Sequence, residues 1–337
     1  MYFPVSYSTL SDKALAEYLR NHYNIQHILN MSYYLRGMND TYLVTTSEKP
    51  YVFRVYRGDW RAEYSEIAFE LELLNYLNLK GISVSLPVAD THGEFIQTFD
   101  APEGKRFGVL FTFAEGTERG MDNEEICNLF GQSVANIHLQ SESFKSEYKR
   151  TILDLNYLIH QSLEVIESSM QHRIEDVEFM KKLGQQLEHS LRDIPLEQLD
   201  WGICHGDLHG NTNVSFTEDL VMTHYDFDLC GYGWRAYDIA EFRLAREVRV
   251  GHDPDLLERL WTAFIEGYRS VRDLSENDLK AVPIFVGIRQ LWLMGLCLKD
   301  PHINGSVDYD DAFIDDKLAY FKRLKENLYG EYSEVLR

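Results

Sequence analysis

Cysteine, basic charge and long apolar runs are what this 337-residue chain has least of. Its four cysteines, Cys127, Cys204, Cys230 and Cys297, form no CxxC pair and no metal-finger spacing. That excludes a disulfide framework and a zinc ribbon, and it reads as buried thiols in a reducing cytosol. Lys and Arg number 33 against 54 Asp and Glu, a formal charge of −21. Such a surface repels nucleic-acid phosphates and anionic headgroups, so neither nucleic acid nor membrane is an expected partner. It suits a cationic substrate, although an acidic surface also serves solubility alone. The first residues, Met-Tyr-Phe-Pro-Val-Ser, lack a basic segment followed by an apolar one, so no signal peptide is expected and the location is read as cytoplasmic. The longest apolar stretch, Pro283–Leu298, is interrupted by Arg289-Gln290. It is too short to span a bilayer and reads as a buried helix. No internal repeat stands out.

What is present changes character along the chain. Strands are expected over Ile25–Leu35, Thr41–Thr46 and Tyr51–Tyr56, then near 86–89, 94–98 and 107–113. Helices are expected over Thr9–Tyr23 and Arg61–Leu79, the latter closed by Gly81 at the C′ position. After Gly116 the pattern becomes helical: 123–140, 153–171, 175–192, 236–249, 254–271, 275–298 and 311–328. A strand-rich first third before a run of helices predicts an α+β chain in two lobes. The expected division is 1–113 and 114–337, with a hinge about 112–116.

Chemistry concentrates in two segments. Residues 204–214 read Cys-His-Gly-Asp-Leu-His-Gly-Asn-Thr-Asn-Val, and 225–228 read Tyr-Asp-Phe-Asp. Asp207 and Asp226 stand 19 apart (226 − 207), room for a loop, a strand at Val214–Phe216, a turn at Glu218-Asp219 and a return strand over Leu220–Tyr225. Phosphoryl transfer needs this set: one Asp to orient a hydroxyl and take its proton, and an Asn amide oxygen with a second Asp to hold Mg²⁺ against nucleotide phosphates. Zinc is not expected at His205 and His209, for no further ligands lie at matching spacing.

These segments resemble the aminoglycoside phosphotransferase and choline kinase-like family, which shares the protein-kinase fold. The match continues through Gly231-Tyr232-Gly233-Trp234-Arg235-Ala236-Tyr237-Asp238-Ile239-Ala240. It extends loosely over about residues 30–300, including Ala135-Asn-Ile-His138. The resemblance implies a bilobal kinase using ATP and Mg²⁺ on a small hydroxyl acceptor. It makes Asp207 the base, with Asp226 and an Asn as metal ligands. Arg54 and Glu70 would anchor phosphates, Gly37 and Thr41 would lie in the phosphate loop, and Thr112 and Phe113 in the hinge that meets adenine. Asp238 would brace the catalytic loop or cap the helix after it. His205 would order the loop. Family members act on aminoglycosides, choline and homoserine, and a related stress-response kinase phosphorylates protein Ser/Thr.

The pattern departs from the family in three places. The family's Asn position falls on Thr212, flanked by Asn211 and Asn213; strand alternation favours Asn213 as the ligand. The strand Lys is replaced by Arg54, which can meet phosphate and Glu70 together. The phosphate loop holds one glycine, Gly37. These departures frame the contrary reading, a pseudokinase without turnover. Glu66 is a second partner candidate for Arg54. Asp228, if on one strand face with Asp226, could join the metal, bind a cationic acceptor or cap a turn. Trp234, Arg235, Glu241 and Arg289 are candidates for the acceptor pocket. The acidic run Asp308–Asp316 reads as helix N-terminal charge.

Overall fold

Alternating β-branched and aromatic residues pair the early segments into one sheet. The computed structural model describes residues 3–25, 27–299 and 307–329. A first helix, α1 (Asp12–His22), is N-capped by the Ser11 hydroxyl, which accepts from the Ala14 N–H. Strands β1 (Ile28–Arg36), β2 (Asp40–Thr46) and β3 (Tyr51–Val55) follow, then α2 (Tyr64–Leu79). Gly81, at φ +84°, ends α2 in the left-handed conformation expected of it. Strands β4 (Pro87–Val88), β5 (Ile96–Ala101) and β6 (Gly104–Thr112) complete an antiparallel sheet of order β1-β2-β3-β6-β4, with β5 also on β6. Tyr42, Val44, Phe53, Val55 and Leu110 bury one face against Leu15 and Leu19 of α1.

The remaining chain supplies α3 (Glu124–Gln140), α4 (Gln161–Ser169), α5 (Ile174–Arg192), α6 (Arg235–Val250), α7 (Pro254–Val271), α8 (Glu276–Lys299) and α9 (Asp311–Tyr329). A π-turn at Asn156–His160 leads into α4, where a plain helix was expected. Two small antiparallel pairs sit among the helices in sequence: β7 (Trp201–Cys204) with β10 (Gly231–Trp234), and β8 (Val214–Phe216) with β9 (Met222–His224). The β7–β10 pair is absent from the sequence reading. Gly202, Gly231 and Gly233 give it no strand signature, yet a Cβ at Gly202 would meet the Arg235 guanidinium at 2.4 Å. Helix α8 is long and apolar enough to cross a membrane by length and composition, but most of that window is buried within the protein.

The chain divides into two compact units that are not contiguous in sequence. One holds the residues up to Arg119 together with Gln140–Arg150 and Asn211–Leu229; the other holds Gly120–Leu139, Thr151–Gly210 and the residues from Cys230 on. The loop carrying Asp207 therefore belongs to the helical unit, and the β8–β9 hairpin belongs with the six-stranded sheet.

Within the helical unit α3 and α7 meet backbone to backbone. A Cβ at Gly131 would lie 2.1 Å from the Phe264 carbonyl oxygen, and one at Gly267 would lie 2.0 Å from that of Asn128. This approach sets a hydrogen bond between His138 Nδ1 of α3 and the Tyr268 hydroxyl of α7, 2.9 Å apart. Gly131→Ala or Gly267→Ala should therefore lower stability by about 2 kcal/mol or more, because overpacking outweighs the gain in helix propensity of about 1 kcal/mol. Urea unfolding of the two variants checks this; a stabilised variant would contradict the close contact.

Candidate active site

The helical unit builds the loop that carries Asp207 on buried carboxylates. Gly206 and Gly210 sit at positive φ, +82° and +76°, so the loop between them forms neither strand nor helix. Its amides need other acceptors. Asp238, in the first turn of α6, takes the His205 N–H at 2.7 Å and the Gly206 N–H at 2.9 Å. Glu241, three residues on, accepts from the Leu208 N–H. Asp238 therefore braces the loop, the first of its two expected roles. Behind it His138 Nε2 lies 3.0 Å from Asp238 Oδ2. Burial lowers the His138 pKa, which keeps the ring neutral. Its Nε2–H donates to Asp238 while Nδ1 accepts from Tyr268. Burial alone would raise the Asp238 carboxyl; the bond from His138 and the loop amides hold it below the ordinary value.

Asp207 is itself held. Arg289 Nη2 of α8 donates to its Oδ1 at 2.6 Å, and Arg289 Nη1 donates to the Gly206 carbonyl at 2.9 Å and to the Tyr237 hydroxyl at 2.8 Å. His209 Nε2 approaches Asp207 Oδ2 at 3.8 Å, and burial lowers the His209 pKa. Arg289 and Glu241 were candidates for an acceptor pocket; both serve the loop. The clue was the Asp238–Glu241 spacing, which puts both carboxylates on one helix face.

The sheet unit gathers the other predicted residues. Arg54, buried on β3, donates through Nη1 to Glu70 Oε1 at 2.7 Å and through Nη2 to Asp226 Oδ1 at 2.8 Å. Burial disfavours its charge, but Asp226 and Glu70 outweigh it and raise its pKa. Burial raises the Glu70 carboxyl despite Arg54. The Tyr56 hydroxyl donates to Glu70 Oε2 at 2.9 Å. Glu66 pairs with Arg61 at 3.5 Å, which leaves Glu70 as the partner of Arg54. Thr41 lies opposite Arg54 in the β2–β3 register. The Gly37 N–H bonds the Asn39 carbonyl at 3.1 Å, closing the short β1–β2 loop.

The β8–β9 hairpin brings Asn213 and Asp226 to its open end. The Tyr225 N–H donates to the Asn213 carbonyl at 3.0 Å. Asn213 and Asp226 both adopt left-handed backbone, φ +66° and +63°, a conformation Asn and Asp tolerate better than most residues. Asn213 is buried, and the Asp226 side chain is 46% exposed. An amide oxygen and a carboxylate oxygen are hard donors that suit a divalent cation retaining waters and phosphate oxygens. Among the described residues no cluster of three His, Cys, Asp or Glu offers a closed metal cage.

Three expectations change. Strand alternation was to place Asp226 and Asp228 on one face. Instead β9 ends at His224, and Phe227–Leu229 is a 3₁₀ turn. Asp228 is buried and accepts from Asn39 Nδ2 at 3.0 Å, Trp60 Nε1 at 2.6 Å and Arg61 Nε at 3.0 Å. Arg61 and Arg150 both donate to its carbonyl. Trp234 packs edge-on against Trp201, ring centroids 4.8 Å apart, and is core. At Thr112 the N–H bonds the Leu86 carbonyl at 2.8 Å, the hydroxyl accepts from the Leu86 N–H at 2.9 Å, and the carbonyl accepts from Ser85. Its backbone is thus used within the sheet unit, and the next residue, Phe113, is exposed. Arg235 pairs with Asp200 at 3.0 Å. In the acidic run, Asp310 caps α9 through the Ala312 and Phe313 amides, and Asp311 and Asp315 pair with Arg173.

Residues 37–274 match the model of the phosphotransferase enzyme family. The chain belongs to that family. A homoserine kinase of Agrobacterium fabrum is 27% identical over 82% of this chain and 82% of its own. An amicoumacin kinase solved with AMP-PNP, Ca²⁺ and Ami has a TM-score of 0.73 at 20% identity, covering 94% of this chain and 93% of that one. A microcompartment-associated aminopropanol kinase has a TM-score of 0.71 at 24% identity, covering 94% and 98%. The fold is kinase-like, α+β with an antiparallel sheet, as the sequence predicts. The chain is therefore a phosphotransferase of the kinase kind.

Asp228 gives a pH signature. Burial alone would raise its carboxyl, but Arg61, then Arg150 and Arg54, bring it down to about 2. An unfolded Asp titrates near 3.9. Because the folded value is the lower, the contribution is present above about pH 4 and is lost as pH falls towards 2. It amounts to about 2–3 kcal/mol. Urea unfolding between pH 2 and 6 should show this loss in the parent. Asp228→Asn, which leaves Arg61 with a neutral partner, should be about 3 kcal/mol less stable at pH 7 and flatter in acid.

Proposed function

We propose that this kinase moves the γ-phosphoryl group of ATP to the hydroxyl of a small, amine-bearing acceptor. The carrying observation is the treatment of Asp207: its carboxylate is gripped by Arg289 and its flanking amides by α6, as a positioned base requires. Asp207 orients the acceptor hydroxyl and takes its proton. Arg54, set by Glu70, is the phosphate anchor, and Asn213 with Asp226 would hold Mg²⁺, whose contribution when bound is neutralisation of phosphate charge. Phe113 is the proposed hinge contact for adenine. Support for the acceptor class comes from the relatives: homoserine and aminopropanol each carry an amine and a hydroxyl. The net charge of −21 favours the approach of a net cation such as aminopropanol, and has no such effect on homoserine, a zwitterion without net charge.

Asp207→Asn should lower phosphoryl transfer at least about 10³-fold while ATP affinity stays within a few-fold. ADP formation across amino alcohols, hydroxy amino acids and neutral diols, with nucleotide binding by calorimetry, measures both; full turnover by Asp207→Asn would sink the base assignment. Asn213→Ala should raise the Mg²⁺ concentration needed for half-maximal rate about tenfold, and Asn211→Ala should leave it unchanged. The reverse pattern would move the ligand to Asn211. For a cationic acceptor kcat/KM should fall with added salt, and for a neutral diol it should not.

A further inference from the structure

Arg289 spends its guanidinium on two consecutive residues of the loop. Nη1 reaches the Gly206 carbonyl and Nη2 the Asp207 carboxylate, so one planar fork spans the backbone before the base and the base itself. Around the fork, Nη1 also donates to the Tyr237 hydroxyl, and Glu241 Oε1 stands 3.2 Å away as a charge contact without a hydrogen bond, while Glu241 Oε2 accepts from the Leu208 N–H on the far side of the base. The Arg289 side chain is 5% exposed and that of Glu241 is 1% exposed.

We infer that Arg289 and Glu241 are a positioning pair for the reaction, Arg289 fixing the rotation of the Asp207 carboxylate and Glu241 fixing Arg289. The inference rests on Asp207 being the base. Stability alone does not account for the arrangement, since apolar residues of similar volume commonly hold such a site as well as buried ionic groups do. Lysine cannot replace the fork. Its ammonium is a point charge on a flexible stem and cannot hold a carbonyl and a carboxylate in one plane.

The test measures ADP formation from Mg·ATP with L-homoserine as acceptor, and again with water alone. Arg289→Lys should lose kcat about 10–100-fold with KM for ATP within about twofold, as a misplaced catalytic group does. Glu241→Gln should lose kcat in the same sense but less. In the Asp207→Asn background Arg289→Lys should cost nothing further, because the residue acts through the base. Circular dichroism and thermal unfolding establish that each variant is folded. Should Arg289→Lys fail to fold, Glu241→Gln carries the same comparison. Parental kcat in a folded Arg289→Lys or Glu241→Gln, with Asp207→Asn inactive, overturns the inference. So does a loss of equal size in both backgrounds, the mark of a general structural role. Parental kcat in Asp207→Asn instead overturns the base assignment, which keeps the two failures distinct.

Discussion

Three backbone amides with no regular partner set the terms for the helical unit. His205, Gly206 and Leu208 present N–H groups in a buried loop bent by a left-handed glycine, where an unmade hydrogen bond costs roughly 1–3 kcal/mol. Asp238 and Glu241, one turn apart on α6, accept all three. The loop thereby takes its shape from a helix and not from its own sequence. The helix is braced in turn: His138 holds Asp238, Tyr268 holds His138, and the glycine contacts of α3 with α7 bring those two side chains together. Core packing two helices away thus fixes the residue proposed to take the proton.

The sheet unit handles two neighbouring aspartates in opposite ways. Asp226 is half exposed, left-handed and held through one oxygen by Arg54. Asp228 is buried and fully engaged by Asn39, Trp60 and Arg61. The second arrangement supports the first. Asp228 ties the β1–β2 loop, the segment ahead of α2 and the turn after β9 to one carboxylate, and the backbone that displays Asp226 is set between these ties. Asn39 also helps explain how a phosphate-loop candidate with a single glycine keeps a defined shape: its amide oxygen accepts from the Arg57 N–H while its nitrogen donates to Asp228.

Most of the long helices were legible because their apolar residues recur with helical period, and β2 and β3 because theirs alternate. The β7–β10 pair was not, since three of its eight residues are glycines kept for close approach rather than strand propensity. Motif order singles out Asp207, Asp226, Arg54 and Glu70 as candidates, and the expected pairing of Arg54 with Glu70 is formed. The role of Asp228 was misread for a local reason: the two-residue rule holds only inside a strand, and the strand stops two residues before Asp226. Trp234 looked like a ligand contact because it follows the motif, but packing against Trp201 decides its place. Arg289 was visible as an odd charge in an apolar run. Its target was hidden because nothing in sequence spacing joins position 289 to position 207.

The arginine at position 54 follows from the same geometry. Two carboxylates from separate segments, Glu70 of α2 and Asp226 beyond β9, converge on β3. A lysine there could donate to both, but from one compact charge on a flexible stem and not from a rigid planar fork. Arginine offers separate Nη groups, and here each is given to one carboxylate. The consequence is mechanical as much as electrostatic: the left-handed Asp226, whose conformation costs of order 1–3 kcal/mol, is secured to a strand and, through Glu70, to a helix. A departure from the family's usual residue therefore becomes the link that holds the proposed metal-binding carboxylate in place.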